Sequence, residues 1–440
     1  MLASQRVFAS KGSVCHATLA RLMATKVKTV GLLDESLTVE ASKDSFSGKI
    51  HPGRIANSVS DLPPPLLRAI EKVLADKNVS NLQTIGVKLA KQLQGRFDPA
   101  KATEGRKWKK IEYSKSTCLS YMLSRMPAEY SAVDRAFTEI SKWSPNFIPK
   151  TIFDFGSGVG SVPWAAISRW GKKLDEIFCI DSSPHMIELA ELLLKGADAN
   201  GQFFIPKTYF KQLMSPNPNR KFDLVVSAHT LFEFPTMDSR LECYLNLWRK
   251  TNDYFVLVEQ GTTEGFKLVD EAKEFLLFQS KKDGQEMHVL APCPHTQACP
   301  RLLREGDRTP CNFQSRYTGF KNDLSQSQRE RFSFVILGKG PKKSAVPKWP
   351  RIVRQPMVRG GHVVSRLCTP EGKLEEVIFT RAKDGKGSYL CARSSEWGDL
   401  LPVKVREKEF VVRDKVARKD EQTEQSDEET DLKQASNNEL

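Results

Sequence analysis

Three cysteines, Cys293, Cys299 and Cys311, fall within 19 residues at spacings of C-x5-C and C-x11-C, with Pro294 and Pro300 after the first two and Pro310 before the third. Thiolates at this density are soft metal ligands, and three of them call for a fourth. The chain holds nine cysteines, and His295 is a further donor in the same stretch. Cys179 falls in a core-strand pattern and Cys243 in a helical one, where a free thiol serves as a small apolar residue. Cys15 and Cys118 stand isolated. Cys391 reads as mid-strand, whereas Cys368 lies at a turn, Leu367-Cys368-Thr369-Pro370-Glu371-Gly372, with its sulfur free to point at a cluster. Cys368 is therefore the expected fourth ligand. Zinc normally takes C-x2-4-C knuckles, whose tight turn bites one small ion. A larger cluster tolerates the x5 spacing, and proline beside a cysteine removes a competing N–H and stiffens the loop. A [4Fe-4S] cluster is expected here, with zinc as the alternative.

A second constellation is Ile152-Phe153-Asp154-Phe155-Gly156-Ser157-Gly158-Val159-Gly160-Ser161, in which a strand runs directly into three alternating glycines and a helix beginning near Val162. Such glycines let the backbone turn tightly and approach a ligand with no Cβ in the way, while the helix N-terminus offers free N–H groups. Asp154 lies in the lead-in strand. Asp181 closes the next strand, where a carboxylate can grip a ribose hydroxyl pair. The spacing is not the Gly-x-Gly-x-x-Gly of a dinucleotide site, and a packing turn that has lost its ligand is the plain alternative.

This combination resembles the S-adenosylmethionine-dependent methyltransferases with a seven-stranded sheet, over about residues 152–337. The resemblance implies that Asp154, Gly156, Gly158 and Gly160 contact the methionine end of the cofactor and that Asp181 binds its ribose. At the acceptor position the chain has Ser227-Ala228-His229-Thr230-Leu231-Phe232-Glu233-Phe234. It carries neither the Asp or Asn before Pro-Pro-aromatic of the amino-group enzymes nor a nucleophilic Cys. His229 titrates near neutrality when unperturbed, but a lone His by a cleft is more often a lining residue. No catalytic residue is assigned.

The elements that must hold these residues follow from periodicity. Short apolar runs at Thr151–Phe155, Glu176–Ile180, Phe222–Ser227 and Tyr254–Glu259, separated by helical segments, predict a parallel α/β sheet covered on both faces. Met287–Leu290 and Phe332–Leu337 predict an antiparallel pair at its end, with the cysteine-rich insertion between them. From Leu62 to Trp143 the pattern is helical, opened by Pro63-Pro64-Pro65 and including a helix with Tyr130, Val133, Phe137 and Ile140. A basic connector, Lys101–Lys110, surrounds Trp108 with Arg106, Lys107, Lys109 and Lys110; it reads equally as an RNA contact or as a solvated surface. Beyond Trp349, strands are expected at Val363–Leu367, Glu376–Thr380 and Ser388–Ala392, with Asp384-Gly385 as a turn. The expected organisation is a targeting segment over residues 1–33, a helical region over 34–149, a methyltransferase-like domain over 150–340 with its insertion at 291–315, a basic β-rich appendage over 345–413, and a disordered acidic tail over 414–440.

Residues 1–33 contain Arg6, Lys11, Arg21, Lys26 and Lys28 and no acid, which is transit-peptide composition; a basic RNA-binding arm is the alternative. Delivery to the mitochondrial matrix would keep the cysteines reduced, which favours metal ligation over disulfides. The formal charge of the 440 residues is +14, although residues 414–440 carry nine acids against four bases. The remainder is therefore more basic still and suited to a polyanion such as RNA. No apolar run is long enough to span a bilayer, and no feature calls for a second copy of the chain.

With the Cys293-Pro294-His295 and Cys299-Pro300 steps, the basic tail containing Trp397-Gly398-Asp399-Leu400-Leu401-Pro402, and the import-type N-terminus, the chain resembles the mitochondrial methyltransferase-like protein 17 family, from about residue 121 to 403. The resemblance implies an assembly factor acting on small-subunit mitochondrial rRNA and ribosomal proteins, with a [4Fe-4S] cluster on the four matching cysteines, Cys293, Cys299, Cys311 and Cys368. It leaves catalysis open.

Overall fold

The computed structural model describes residues 24–32, 35–43, 51–55, 58–94, 111–214, 220–304, 309–320, 327–341 and 346–411. Most of the expected targeting segment, the Lys101–Lys110 connector and the acidic tail lie outside these. The chain divides into two compact units, one of residues 30–404 and one formed by residues 1–29 with 405–440. The described part of the smaller unit is residues 24–29 and 405–411, which belong to strand β1 (Ala24–Leu32) and to its pairing partner Val403–Val411.

In the larger unit, α1 (Glu35–Ser42) and the two-residue strand β2 (Val59–Ser60) precede the helices α2 (Pro64–Leu74), α3 (Val79–Gln94), α4 (Lys115–Ser124) and α5 (Met126–Trp143). Local chemistry sets their starts. Pro64 occupies the first turn of α2, where a missing N–H costs nothing, and the Ser114 side chain accepts from the Thr117 N–H at the head of α4. Leu66, Ile70, Met122, Met126, Val133 and Phe137 join Ile152, Trp164, Val226 and Val256 in one apolar core, so these helices pack on the sheet rather than standing apart from it.

The sheet alternates with helices: β3 (Thr151–Phe155), α6 (Ser161–Trp170), β4 (Glu176–Ile180), α7 (Pro184–Leu194), β5 (Lys207–Lys211), β6 (Phe222–Ala228), α8 (Met237–Lys250), β7 (Thr251–Gln260), α9 (Thr263–Lys282), β8 (Met287–Ala291), α10 (Pro300–Leu303), β9 (Phe313–Tyr317) and β10 (Gln328–Lys339). Strands β5, β4, β3, β6 and β7 are parallel neighbours in that order, and β10 lies antiparallel to β7 and to β8. This is the arrangement of a seven-stranded methyltransferase-like sheet, with the last strand inserted antiparallel. Successive residues face opposite cores. Ile152, Val226, Val256 and Ile336 meet the α5–α7 side, while Phe153, Val225, Phe255 and Val335 meet the α8–α9 side with Tyr244, Leu247 and Leu276. Burial on both faces explains the near-continuous apolar runs.

Two strands extend this sheet to nine. The cysteine-rich insertion leaves β8 against one half of the long β10 and returns as β9 against the other half; β2 then adds parallel to β9. The expected antiparallel pair is present, but β10 is an interior strand rather than an edge.

The appendage contains β11 (Arg351–Ile352), β12 (Met357–Val358), β13 (His362–Cys368) and β14 (Leu374–Thr380) as a four-stranded sheet, then α11 (Arg381–Ser394) and β15 (Val403–Val411), the partner of β1. The strand expected at Ser388–Ala392 is instead helical. Thr380 caps this helix by accepting from the Lys383 N–H, Asp384 accepts from the Thr380 N–H, and Gly385 supplies a non-helical kink at φ 82°. Docking of the helix buries Tyr389, Cys391 and Ala392, a tertiary demand that overrides the turn signal of Asp384-Gly385. The Trp397–Pro402 stretch is a clasp: Asp399 accepts from the Ile55 and Glu396 N–H groups, and the Leu400 N–H donates to the Gly53 carbonyl.

Candidate cofactor cleft and cysteine centre

At the end of β3 the chain turns through Gly156, Gly158 and Gly160 at φ values of 76°, 50° and 91°. Gly156 is required sterically, because a Cβ there would sit 2.0 Å from the Thr230 hydroxyl oxygen. A Cβ on Gly158 would meet nothing within 4 Å, so that backbone faces open space. The Gly156 and Ser157 N–H groups donate to the Ile180 carbonyl at 2.8 and 2.9 Å, tying the turn to β4. Asp181, just beyond β4, accepts from the Gly158 N–H through Oδ2 and from the Ser183 N–H through Oδ1, each at 2.8 Å. Burial raises its pKa, partly offset by those two N–H groups.

Asp154 is fully buried, and neither carboxyl oxygen has a hydrogen-bond partner. Burial, with the charge of Asp181 adding, pushes its pKa well above the ordinary carboxylate range. The turn and Asp181 line a cavity of about 850 Å³ that also takes in Met186, Met214, Phe234 and the α4–α5 residues Tyr121 and Glu129. That volume suits a nucleoside-sized ligand. An unsatisfied buried acid, an open glycine backbone and an anchored Asp181 are the features an S-adenosylmethionine site needs, and the donor set fits that cofactor.

His229 lines the same cavity with a φ of 59°, and neither ring nitrogen has a partner. Burial, with Arg125 nearby, lowers its pKa to about 3. The ring is neutral, and its basicity is too low for an efficient proton acceptor at neutral pH.

The four expected cysteine ligands come from distant segments and lie within electrostatic reach of one another. Cys293 follows β8, Cys299 precedes α10, Cys311 precedes β9, and Cys368 ends β13. Burial raises all four thiol pKa values, Cys299 to about 11 and Cys311 to about 12, and each of these two is pushed further by its neighbours' charge. For Cys368 the adding charges are those of Cys293, Cys311 and Cys299. Lys273 and Arg351 act on Cys293 against the acids Asp270 and Glu274, and Arg301 and Arg354 act on Cys311. Among the described residues, no three His, Cys, Asp or Glu side chains are gathered as ligands of a metal ion. Four thiols in mutual electrostatic reach, with cations to offset thiolate charge, suit a cluster that spreads its ligands around several metal atoms.

The family model described as mitochondrial small ribosomal subunit Rsm22 matches residues 115–402, a stretch that contains every one of these cleft and cysteine residues. The chain belongs to the Rsm22 family. Among relatives, the human "Ribosome assembly protein METTL17, mitochondrial" is 41% identical over 300 residues, covering 67% of this chain and 65% of the relative. The Saccharomyces cerevisiae "Ribosome assembly protein RSM22, mitochondrial" is 24% identical over 281 residues, covering 41% of this chain and 44% of the relative. The matched stretch thus spans just under two thirds of the human relative's length. Among solved structures, the magnesium protoporphyrin IX methyltransferase of Synechocystis PCC 6803 aligns with a TM-score of 0.31 at 11% identity, covering 62% of this chain and 99% of that one. The family membership bears out the resemblance read from the sequence.

Periodicity missed several polar residues in and beside this Rsm22-family cleft. The Tyr121 hydroxyl donates to Glu129 Oε1 at 2.6 Å, and Arg125 bridges Glu129 and Glu330. Burial, against the pull of Arg125, pushes Glu129 up to about 7. Glu259 on β7 is fully buried, accepts from the Leu231 N–H at 2.8 Å, and is pushed up to about 8 by burial. Both acids sit in otherwise apolar patterns, which conceal them.

A carboxyl whose folded pKa lies above its unfolded value costs stability as pH rises through that interval. Glu259→Gln keeps the acceptor for Leu231 and removes the charge. Its Tm relative to the unsubstituted chain should therefore be higher at pH 8 than at pH 5. The same difference at both pH values in thermal melts would show that Glu259 is ionised throughout.

Proposed function

We propose that the chain assists assembly of the small mitochondrial ribosomal subunit in the matrix, holding rRNA and ribosomal proteins against a methyltransferase-like body. In this reading the cleft binds S-adenosylmethionine, and Cys293, Cys299, Cys311 and Cys368 hold a [4Fe-4S] cluster, with zinc as the alternative metal. The observation that carries the reading is the 41% identity to the human ribosome assembly protein. The excess of 67 Lys and Arg over 53 Asp and Glu supports a polyanionic partner, and the mitochondrial names of the relatives agree with the composition of residues 1–33.

In the cleft, the Gly156–Gly160 turn would cradle the methionine end of the cofactor. Asp181 would take the ribose hydroxyls on lone pairs left free by its two N–H bonds, and Asp154 would offer its buried carboxyl beside the turn. Bound there, the cofactor supplies an electrophilic methyl group. This chain's own residues would orient and enclose it, but His229 is a poor base, Tyr121 is committed to Glu129, and Glu129 to Arg125. The arrangement supports binding more directly than turnover. A second reading, an active rRNA methyltransferase completed on the ribosomal precursor, is favoured by the unpartnered Asp154.

Purified full-length chain should bind small-subunit rRNA with an affinity that falls roughly 10³–10⁵-fold between 50 and 200 mM salt if about six to ten phosphates are neutralised. A flat salt response would remove the electrostatic basis of the proposal. Gly158→Leu places a side chain in the open cleft at a φ that disfavours it, and should abolish S-adenosylmethionine binding by calorimetry. Assembly that proceeds with this variant at normal abundance supports the platform reading. Loss of an rRNA methyl mark with the same variant supports the enzyme instead.

A further inference from the structure

His295 lies between two of the proposed ligands in sequence, yet neither of its nitrogens faces an empty position. Its Nε2 is 3.3 Å from Cys368 Sγ, and its Nδ1 accepts the Gln297 N–H at 3.1 Å. The ring is 7% exposed. Because Nδ1 must present a lone pair to the Gln297 N–H, the ring proton is on Nε2. The contact is therefore an N–H···S hydrogen bond from His295 to Cys368. The loop bearing it is seated on the Cys368 turn, for a Cβ on Gly372 would fall 2.2 Å from Gln297 Oε1. The insertion and the appendage meet at this bond.

We propose that His295 is a positioning residue for the cysteine centre: its Nε2–H holds the Cys368 sulfur in place and raises the reduction potential of the cluster bound there. The inference rests on the iron–sulfur reading of the four cysteines. One-electron reduction adds negative charge that the ligand sulfurs share, and a donor aimed at one of those sulfurs stabilises the reduced form more than the oxidised one. A ligand role for the imidazole would require Nε2 to give up its proton and turn from Cys368, or Nδ1 to give up its backbone donor. The sequence alone left His295 among the possible ligands. The geometry makes it the group that addresses a ligand.

The test uses the full chain purified anaerobically, with His295→Leu, which removes the donor, and His295→Gln, which retains a side-chain N–H. Iron and sulfide are assayed, and each protein is titrated with dithionite while visible absorbance and electron paramagnetic resonance are followed. Dithionite supplies the single electron, and no bond to the cluster forms or breaks. The Leu variant should keep its iron and reduce at a more negative potential, and the Gln variant should return toward the original value. Iron retained by the Gln variant but lost from the Leu variant would equally support the donor, since the N–H is what separates them. Equal potentials in the original chain and the Leu variant would overturn the role of His295 while leaving the cluster standing. Iron lost from both variants would make His295 a ligand and overturn the proposal. An original chain without iron would overturn the cluster and this inference together.

Discussion

Replacing any one of Cys293, Cys299, Cys311 or Cys368 by Ser should remove essentially all cluster absorbance from anaerobically purified protein and lower its Tm. In the unsubstituted chain we expect broad visible absorbance and about four irons. The effect is large because the four thiols come from the insertion and the appendage, and metal bound only by the folded chain contributes its binding free energy to folding. Linkage sets the scale: saturation at a hundred times the dissociation constant stabilises by about 2.7 kcal/mol. Burial raises the thiol pKa values, so metal loading should release protons and strengthen with rising pH. Cys391→Ser is the internal control. Cys391 is fully buried on α11, so the substitution should cost about 1–3 kcal/mol by burying a hydroxyl while leaving the absorbance intact. Absorbance lost in Cys391→Ser but kept in Cys368→Ser would reassign the fourth ligand, and stoichiometric zinc without iron would replace the cluster by a zinc site.

The second large effect should come from Arg351, whose side chain is 2% exposed. Its guanidinium donates to Glu139 Oε1 at 2.7 Å, to the Gly398 carbonyl at 2.6 Å and to the Pro292 carbonyl at 2.8 Å. It thereby joins α5, the Trp397–Pro402 clasp and the residue preceding Cys293. Arg351→Met keeps the apolar stem but strands these acceptors in a dry interior, and should destabilise by about 3–5 kcal/mol in denaturant unfolding. Arg135 at 2.9 Å and the Trp143 indole N–H at 2.7 Å still reach Glu139, so the loss should fall short of unfolding the chain at 25 °C. Burial alone would raise the Glu139 pKa, but Arg351 and Arg135 outweigh it and hold it below the ordinary value. A depressed folded pKa contributes stability above the unfolded value that is lost as pH falls through the folded one. The gap between Arg351→Met and the unsubstituted chain should therefore narrow below about pH 4.5. A loss under about 1 kcal/mol at pH 7 would mean that the acceptors find water or other partners.

Some of this molecule was legible because its signals are local. Strands β3, β4, β6 and β7 were read within one or two residues, except at the start of β7, since a parallel strand buried on both faces must be apolar throughout. The glycine turn was legible because few other residues adopt three left-handed conformations in five positions. The Ser388–Ala392 strand was misread because Asp384-Gly385 is also a strong hairpin signal. Only the packing of Tyr389, Cys391 and Ala392 against the appendage sheet selects the helix.

What the residue order determined by itself is the alternation of sheet and helix, the position of the glycine turn between Asp154 and Asp181, and the soft-ligand character of the insertion, all consequences of steric and ligand chemistry carried within a few residues. The tertiary structure decided which side chains became chemically distinct. Glu129 and Glu259 acquire near-neutral pKa values only because the folded chain withdraws them from water. Asp154 loses every partner by the same burial, and His295 becomes a donor to Cys368 across 73 residues of sequence. Desolvation and long-range contact depend on what the rest of the chain places around a group, so they are absent from any local pattern and appear only when the sheet, insertion and appendage are packed together.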